Sequence, residues 1–183
     1  MPHLHIVPGS EMPEHLRWQI ISFFRTQWPG GSPDGDLCRG TIAPEEYHPV
    51  GVVMTHDKLL ISYAGVVWKT LEHEGQSYKM YGLSGVFTFP SYRRLGYGTQ
   101  VISAAKELIE KSDGDIVIFT SLQQGFYEKV GFLRMPNVQL LKGDAHNPTV
   151  YGETTFMLFL SPKGQRARKR FEKASIYFGP EVW

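Results

Sequence analysis

Apolar positions along this chain recur with two periods, and the switches between them mark its elements. From Pro13 to Gln27, Leu16, Ile20, Phe23, Phe24 and Gln27 fall at helical spacing, which predicts a helix with Ser10 as an upstream cap. Pro29-Gly30-Gly31-Ser32-Pro33-Asp34-Gly35-Asp36 then reads as a loop, because prolines and glycines at this density cannot join regular structure. Val50 to Met54 and Leu59 to Lys69 read as strands around the turn Thr55-His56-Asp57-Lys58. Glu72 to Gln76 is the next hairpin turn, and Tyr81 to Phe89 is an aromatic, β-branched strand closed by Pro90. The period changes again at Thr99 to Lys111, where Val101, Ala105 and Leu108 lie on one line with Ile102 and Ile109 beside it. An apolar strand at Asp115 to Phe119 follows. Further strands are expected near Leu133 to Leu141 and Thr154 to Leu160, separated by a polar loop through His146-Asn147-Pro148. Periodicity and composition alone give an α/β or α+β fold.

Composition narrows the setting. At 183 residues the chain has single-domain length, and 42% hydrophobic with 13% aromatic residues is enough for one sizeable core. A formal charge of +1 gives no general pull toward nucleic acid. The run Arg166 to Arg170 could touch nucleic acid or a ribose phosphate, but no aromatic is interleaved for base stacking, so it reads as a solvated helix surface. One cysteine, Cys38, excludes an intramolecular disulfide and a cysteine-rich zinc site. The seven histidines form no ligand set: His3 and His5 alternate on a first strand, and His48, His56, His73 and His146 fall in polar or turn regions. No metal is expected. No apolar run reaches membrane-spanning length and no signal-peptide layout opens the chain, so a cytoplasmic protein is expected.

Candidate chemistry concentrates at Arg93-Arg94-Leu95-Gly96-Tyr97-Gly98, where a strand ends and a helix begins. Glycines there bare backbone N–H groups at the positive end of the new helix dipole, and two arginines add full charges. That combination suits a diphosphate. A second motif, Phe126-Tyr127-Glu128-Lys129-Val130-Gly131-Phe132, follows after one helix and one strand, making a β-α-β-α unit. A dinucleotide fingerprint fits worse: its third glycine position is Val101, and the next strand ends in Phe119-Thr120 without an acid.

The paired motifs resemble the GNAT superfamily of acyl-CoA-dependent N-acetyltransferases. The resemblance implies one N-acetyltransferase domain over residues 1–183, with a mixed, mostly antiparallel sheet that splays beside Val86 to Thr88. Its cofactor would be acetyl-CoA. Backbone groups of Val86, Phe87 and Thr88 would hold the pantetheine and acetyl carbonyl. The loop from Arg93 through Tyr97 to Thr99 would take the diphosphate on the N–H groups of Arg94, Gly96, Gly98 and Thr99, with Arg94 adding charge. Ser121, with Thr120, would touch the pantetheine arm. Tyr127 matches the family tyrosine that protonates the departing thiolate; a core tyrosine packed beside Phe126 and Phe132 is the other reading.

A closer resemblance, to the aminoglycoside 2′-N-acetyltransferases, rests on Leu59 to Val67, on Ser84-Gly85-Val86, and on the ending Gly179-Pro180-Glu181-Val182-Trp183. It implies that the carboxylate of Trp183 borders the acceptor site next to Glu153 or the Asp34–Glu46 loop, with Ser84 and Gly85 as further substrate-binding candidates. Polycationic sugars need acids, and the candidates are Asp34, Asp36, Glu45, Glu46 and Glu153. Ser84 stands where those enzymes carry a glutamate, so the general base is open, with Glu153 first in line. The reaction expected is direct attack by a primary amine, without Cys38 as nucleophile. Competing acceptors are an amino sugar, or a protein N-terminus, lysine or small metabolic amine; a non-catalytic acyl-CoA-binding module is the alternative. The expected partner is a small-molecule amine, with no nucleic acid and no membrane, and a homodimer is an open assembly state.

Overall fold

The computed structural model of the chain describes residues 1–28, 40–151, 153–173 and 175–180. Asp34, Asp36, Cys38 and Trp183 lie outside them. Among the described residues ten strands and four α-helices follow in order: β1 His3–Pro8, α1 Glu14–Gln27, β2 Val50–His56, β3 Leu59–His73, β4 Gln76–Thr88, α2 Tyr97–Glu110, β5 Ile116–Ser121, α3 Gln124–Val130, β6 Leu133–Met135, β7 Leu140–Lys142, β8 Thr149–Tyr151, β9 Thr154–Phe159, α4 Pro162–Phe171 and β10 Ile176–Gly179. Seven strands pair in the order β1-β2-β3-β4-β5-β9-β6, and three more in the order β10-β7-β8. β4–β5 and β10–β7 are parallel, while β1–β2, β2–β3, β5–β9, β6–β9 and β7–β8 are antiparallel. The sheet is therefore mixed and mostly antiparallel, as the GNAT resemblance implied.

Two compact units divide the chain. The first comprises Met1–Val67 and Leu83–Glu107. Its core joins the buried face of α1 (Leu16, Ile20, Phe23 and Phe24) to Val53, Leu60, Tyr63 and Phe87. Pro13, not Ser10, begins α1: its carbonyl accepts from Leu16 and Arg17, while Ser10 sits in a separate 3-10 turn, Gly9–Glu11. A proline at the threshold fixes φ for helix entry, and it offers no side chain that could cap the first-turn N–H groups. Gln19 then ties the helix to the β2–β3 turn, donating to the Lys58 carbonyl and accepting from the Leu60 N–H, both at 2.9 Å.

The second unit comprises Trp68–Gly82 and the chain from Leu108 onward. Its core gathers Tyr78, Met80, Ile116, Ile118, Leu140, Met157, Phe171, Ile176 and Phe178. β3 runs four residues beyond the expected Lys69, to His73, and the turn to β4 is Glu74-Gly75. Both turn residues have positive φ, the form that matches the twist of a two-residue hairpin. His73, expected in a polar turn, is buried instead: 6% exposed and stacked on Phe171 at 4.4 Å. Burial holds its imidazole below the usual histidine range. The single strand expected near Leu133 to Leu141 is two short ones, β6 and β7, in different sheets. Pro136 lacks the N–H a ladder needs, and a Val138 to Met135 turn bond follows it.

Among the described residues, no helix is long and apolar enough to cross a membrane.

Candidate active site

In the first unit the chemistry rests on backbone. β4 carries Gly85 at φ +60°, and an added Cβ there would lie 2.3 Å from the Phe24 ring, so α1 and the strand can approach this closely only at a glycine. Beyond it, the Phe87 carbonyl accepts from Ser62 Oγ at 2.8 Å, and Phe89 donates its N–H to the Ile61 carbonyl at 2.9 Å. Both groups face β3. By antiparallel alternation, the backbone groups of Val86 and Thr88 face the opposite way. Of the three residues expected to hold pantetheine, Val86 and Thr88 thus present main-chain groups away from β3. Phe87 fills the core, its ring stacked on Phe23 at 3.8 Å and 8°. The parallel ladder from β4 to β5 is only two pairs long, Met80–Ile116 and Tyr81–Val117.

Past β4 the chain makes a 3-10 turn, Pro90–Tyr92, and enters the arginine loop. Arg93 turns back, its Nε donating to the Thr88 carbonyl at 3.0 Å, so this arginine braces the strand end. Arg94 is exposed and holds φ +64°, and Gly96 follows at φ +84°. The Gly96 carbonyl accepts from the Gln100 N–H at 3.1 Å, which makes Gly96 the N-cap of α2. The N–H groups of Tyr97, Gly98 and Thr99 then occupy the first helical turn, where an α-helix offers no internal acceptor. Two left-handed residues, three first-turn donors and an exposed guanidinium are the kind of groups that suit an anion. Ser84 and Gly85 are half-buried, and Glu46 is exposed on the short turn Glu45–Tyr47.

In the second unit the chemistry rests on side chains. Gly131 ends α3 at φ +93°, and the Phe132 N–H reaches back to the Tyr127 carbonyl at 3.1 Å. The spacing of the second motif is therefore that of a helix cap, with glycine in the left-handed position. That cap sets Tyr127, 5% exposed, among Phe119, Phe126, Phe132 and Phe156 at ring distances of 4.8, 5.1, 6.1 and 5.4 Å. Burial pushes the phenol up to about 12; a hydrogen bond with Ser121 opposes the shift and the Glu153 carboxylate adds to it. Tyr127 is both a core aromatic and a protonated phenol at working pH.

Glu153 lies half-buried between β8 and β9, next to Thr154, which pairs with Ser121. Tyr151, two residues before it, is a residue sequence reasoning missed. Its phenol is also shifted up, first by burial and then by Glu153, against a hydrogen bond with Thr120. The end of β5 and the β8–β9 connection thus bring Thr120, Ser121, Tyr127, Tyr151 and Glu153 together. No sequence signal joined Tyr151 to this group, because its link to Thr120, some thirty residues earlier, is made only by the fold. Among the described residues no group of three or more His, Cys, Asp or Glu side chains could hold a metal ion.

This strand order, with a glycine-capped helix after β4 and a capped tyrosine helix after β5, is the GNAT-type α/β fold. Residues 48–134 match the family model of the acetyltransferase (GNAT) domain. Solved structures of similar fold include Escherichia coli ElaA (TM-score 0.58, 13% identity, 86% of this chain and 99% of that one). A GNAT family acetyltransferase from Brucella melitensis in complex with acetyl-CoA gives TM-score 0.55 at 16% identity over 87% and 90% of the two chains. An aminoglycoside 6′-N-acetyltransferase complexed with coenzyme A gives 0.56 at 13% over 86% and 98%. Two further matches are much longer proteins, from Enterococcus faecalis V583 and Anabaena variabilis, of which this chain spans 33% and 32%. At these identities the likeness is one of fold. None of the curated proteins matches the chain.

Proposed function

We propose that residues 1–183 work as one acetyl-CoA-dependent N-acetyltransferase domain acting on a primary amine. The observation that carries this reading is the Gly96 cap: three bare N–H groups opening α2, beside the exposed Arg94, fit the diphosphate of coenzyme A. The GNAT match and a fold shared with proteins bound to acetyl-CoA and coenzyme A support it. Acetyl-CoA, when bound, supplies the thioester from which the acetyl group passes to the amine. Val86 and Thr88 offer main-chain groups to the pantetheine, while Arg93 and Phe87 keep the strand end rigid.

Tyr127 is the donor of the proton that the departing sulfur takes up as the N–C bond forms and the C–S bond breaks. Burial keeps its phenol neutral until the proton is needed. Glu153 is the carboxylate that draws the cationic acceptor and accepts its proton, in line with its electrostatic reach to both Tyr127 and Tyr151. The acceptor we favour is an aminoglycoside or related amino sugar, on the resemblance of the Leu59 to Val67 and Ser84 to Val86 segments to the 2′-N-acetyltransferases. A thiol-release assay with acetyl-CoA over aminoglycosides, peptides and small amines tests this. Turnover confined to amino sugars is expected. Turnover on peptides alone would reassign the acceptor, and cofactor binding without turnover on any amine would make the chain a binding module.

A further inference from the structure

The strand β1 stands at one end of the seven-stranded order, and among the described residues it pairs with β2 alone. His3, Leu4, His5 and Ile6 are all exposed, including the two apolar side chains at 39% and 48%. No lysine, arginine or acid lies between His3 and Pro8, although charged residues are the usual guard on a free edge.

The direction of each backbone group follows from one bond. Gly9 donates its N–H to the Pro49 carbonyl at 2.7 Å, one step beyond the Pro8–Val50 pair in the same register. Antiparallel pairing alternates, so Val7, His5 and His3 also bond toward β2, and Leu4, Ile6 and Pro8 face outward. Prolines at 2 and 8 have no N–H. The outward donors of this edge are therefore Leu4 and Ile6, bracketed by two residues that have none to offer.

We propose that this edge pairs with β1 of a second copy of the chain, antiparallel, about a twofold axis through His5. In that register Leu4 faces Ile6 of the other copy, and Ile6 faces its Leu4. Every outward N–H meets an outward carbonyl, giving about four hydrogen bonds. Pro2 meets Pro8 at both ends, where the ladder stops without an orphaned donor. A shift by two residues leaves a Leu4 or Ile6 carbonyl opposite a proline with nothing to give. Leu4 and Ile6 form one apolar stripe across the junction, and His3 and His5 line the other face. Like charges cannot oppose this self-pairing, since the strand carries none from Asp, Glu, Lys or Arg. An edge that is its own complement closes as a dimer.

Sedimentation velocity on the full chain, up to about 200 μM, should show a species of twice the chain mass. Ile6→Pro removes an outward N–H while leaving the β2 ladder its bonds, and an edge strand tolerates such a proline. That variant should sediment as a monomer with unchanged circular dichroism. A cysteine pair makes the test independent of how the variant folds. In a Cys38→Ser background, His5→Cys faces itself across the axis at a Cα separation of about 4.5 Å, within disulfide range. Leu4→Cys in the same background is offset by two residues, about 8 Å, and out of range. Mild oxidation should link the His5→Cys chains and leave the Leu4→Cys chains apart. A monomer at the highest concentration, a dimer that survives Ile6→Pro, or equal cross-linking at both positions would overturn the proposal.

Discussion

The arginine loop of the first unit and the tyrosine cage of the second are built from different materials. In the loop, the groups offered to a ligand are main-chain N–H donors, and the side chains mostly serve shape: Gly96 caps the helix and Arg93 braces Thr88. In the cage, the main chain serves shape and the side chains carry the chemistry. Gly131 ends the helix so that Tyr127 sits among four aromatic rings with its phenol beside Ser121. A main-chain site tolerates any side chain that keeps the dihedral angles. A side-chain site tolerates any backbone that keeps one hydroxyl in place. Variants can therefore separate binding from turnover.

The largest effect expected is on the cage. Tyr127→Phe keeps the ring packing and deletes the proposed proton donor, so kcat should fall about a hundred- to ten-thousand-fold with acetyl-CoA affinity kept. Steady-state thiol release together with calorimetry reads both; an unchanged kcat would leave Tyr127 a packing residue. Next comes Gly96→Val. The nearest atom to an added Cβ is 3.9 Å away, so space is not the obstacle, but φ +84° is. Forcing a β-branched residue there costs about 1–3 kcal/mol, and acetyl-CoA affinity should fall roughly ten- to a hundredfold at similar kcat under saturation. Loss of kcat alone would contradict a main-chain role for the loop. Arg94→Ala should weaken acetyl-CoA by about tenfold or less, with a flatter dependence on salt than the native chain.

The smallest effect is a pH dependence of stability. The Tyr127 phenol is raised to about 12 in the fold, against roughly 10 for an unfolded tyrosine. The native state therefore holds a proton that the unfolded state gives up between those values, and stability should fall as pH rises from about 10 to 12. Thermal melts at pH 9 and 11.5 should show a smaller alkaline loss for Tyr127→Phe than for the native chain.

The same contrast explains what the sequence disclosed. Gly96, Gly98 and the Gly131-Phe132 pair are legible because glycine at a strand–helix junction or a helix end has a local conformational reason. α1, β2 and α2 were legible as long periodic segments. Thr120 and Tyr151, far apart in the chain, meet only in the folded structure, so no local rule could group them. β8 and β10 escaped for another reason: strands of three or four residues hold too few alternations to register as a period. His73 looked like a turn residue because glycine and acids follow it, yet Phe171, far along the chain, closes over it. Gly85 carried a double constraint, positive φ and the Phe24 ring, that only the packed structure reveals.

On the proposed function, the main-chain donors opening α2 read the diphosphate of the acyl donor. Calorimetric titration of the native chain with acetyl-CoA, set against S-acetyl-pantetheine, tests it most directly, because the two share the thioester arm and differ in the diphosphate-bearing nucleotide. Charge-assisted hydrogen bonds are worth about 1.5–3 kcal/mol each, so acetyl-CoA should bind at least tenfold more tightly. Equal affinities for the two would contradict the account.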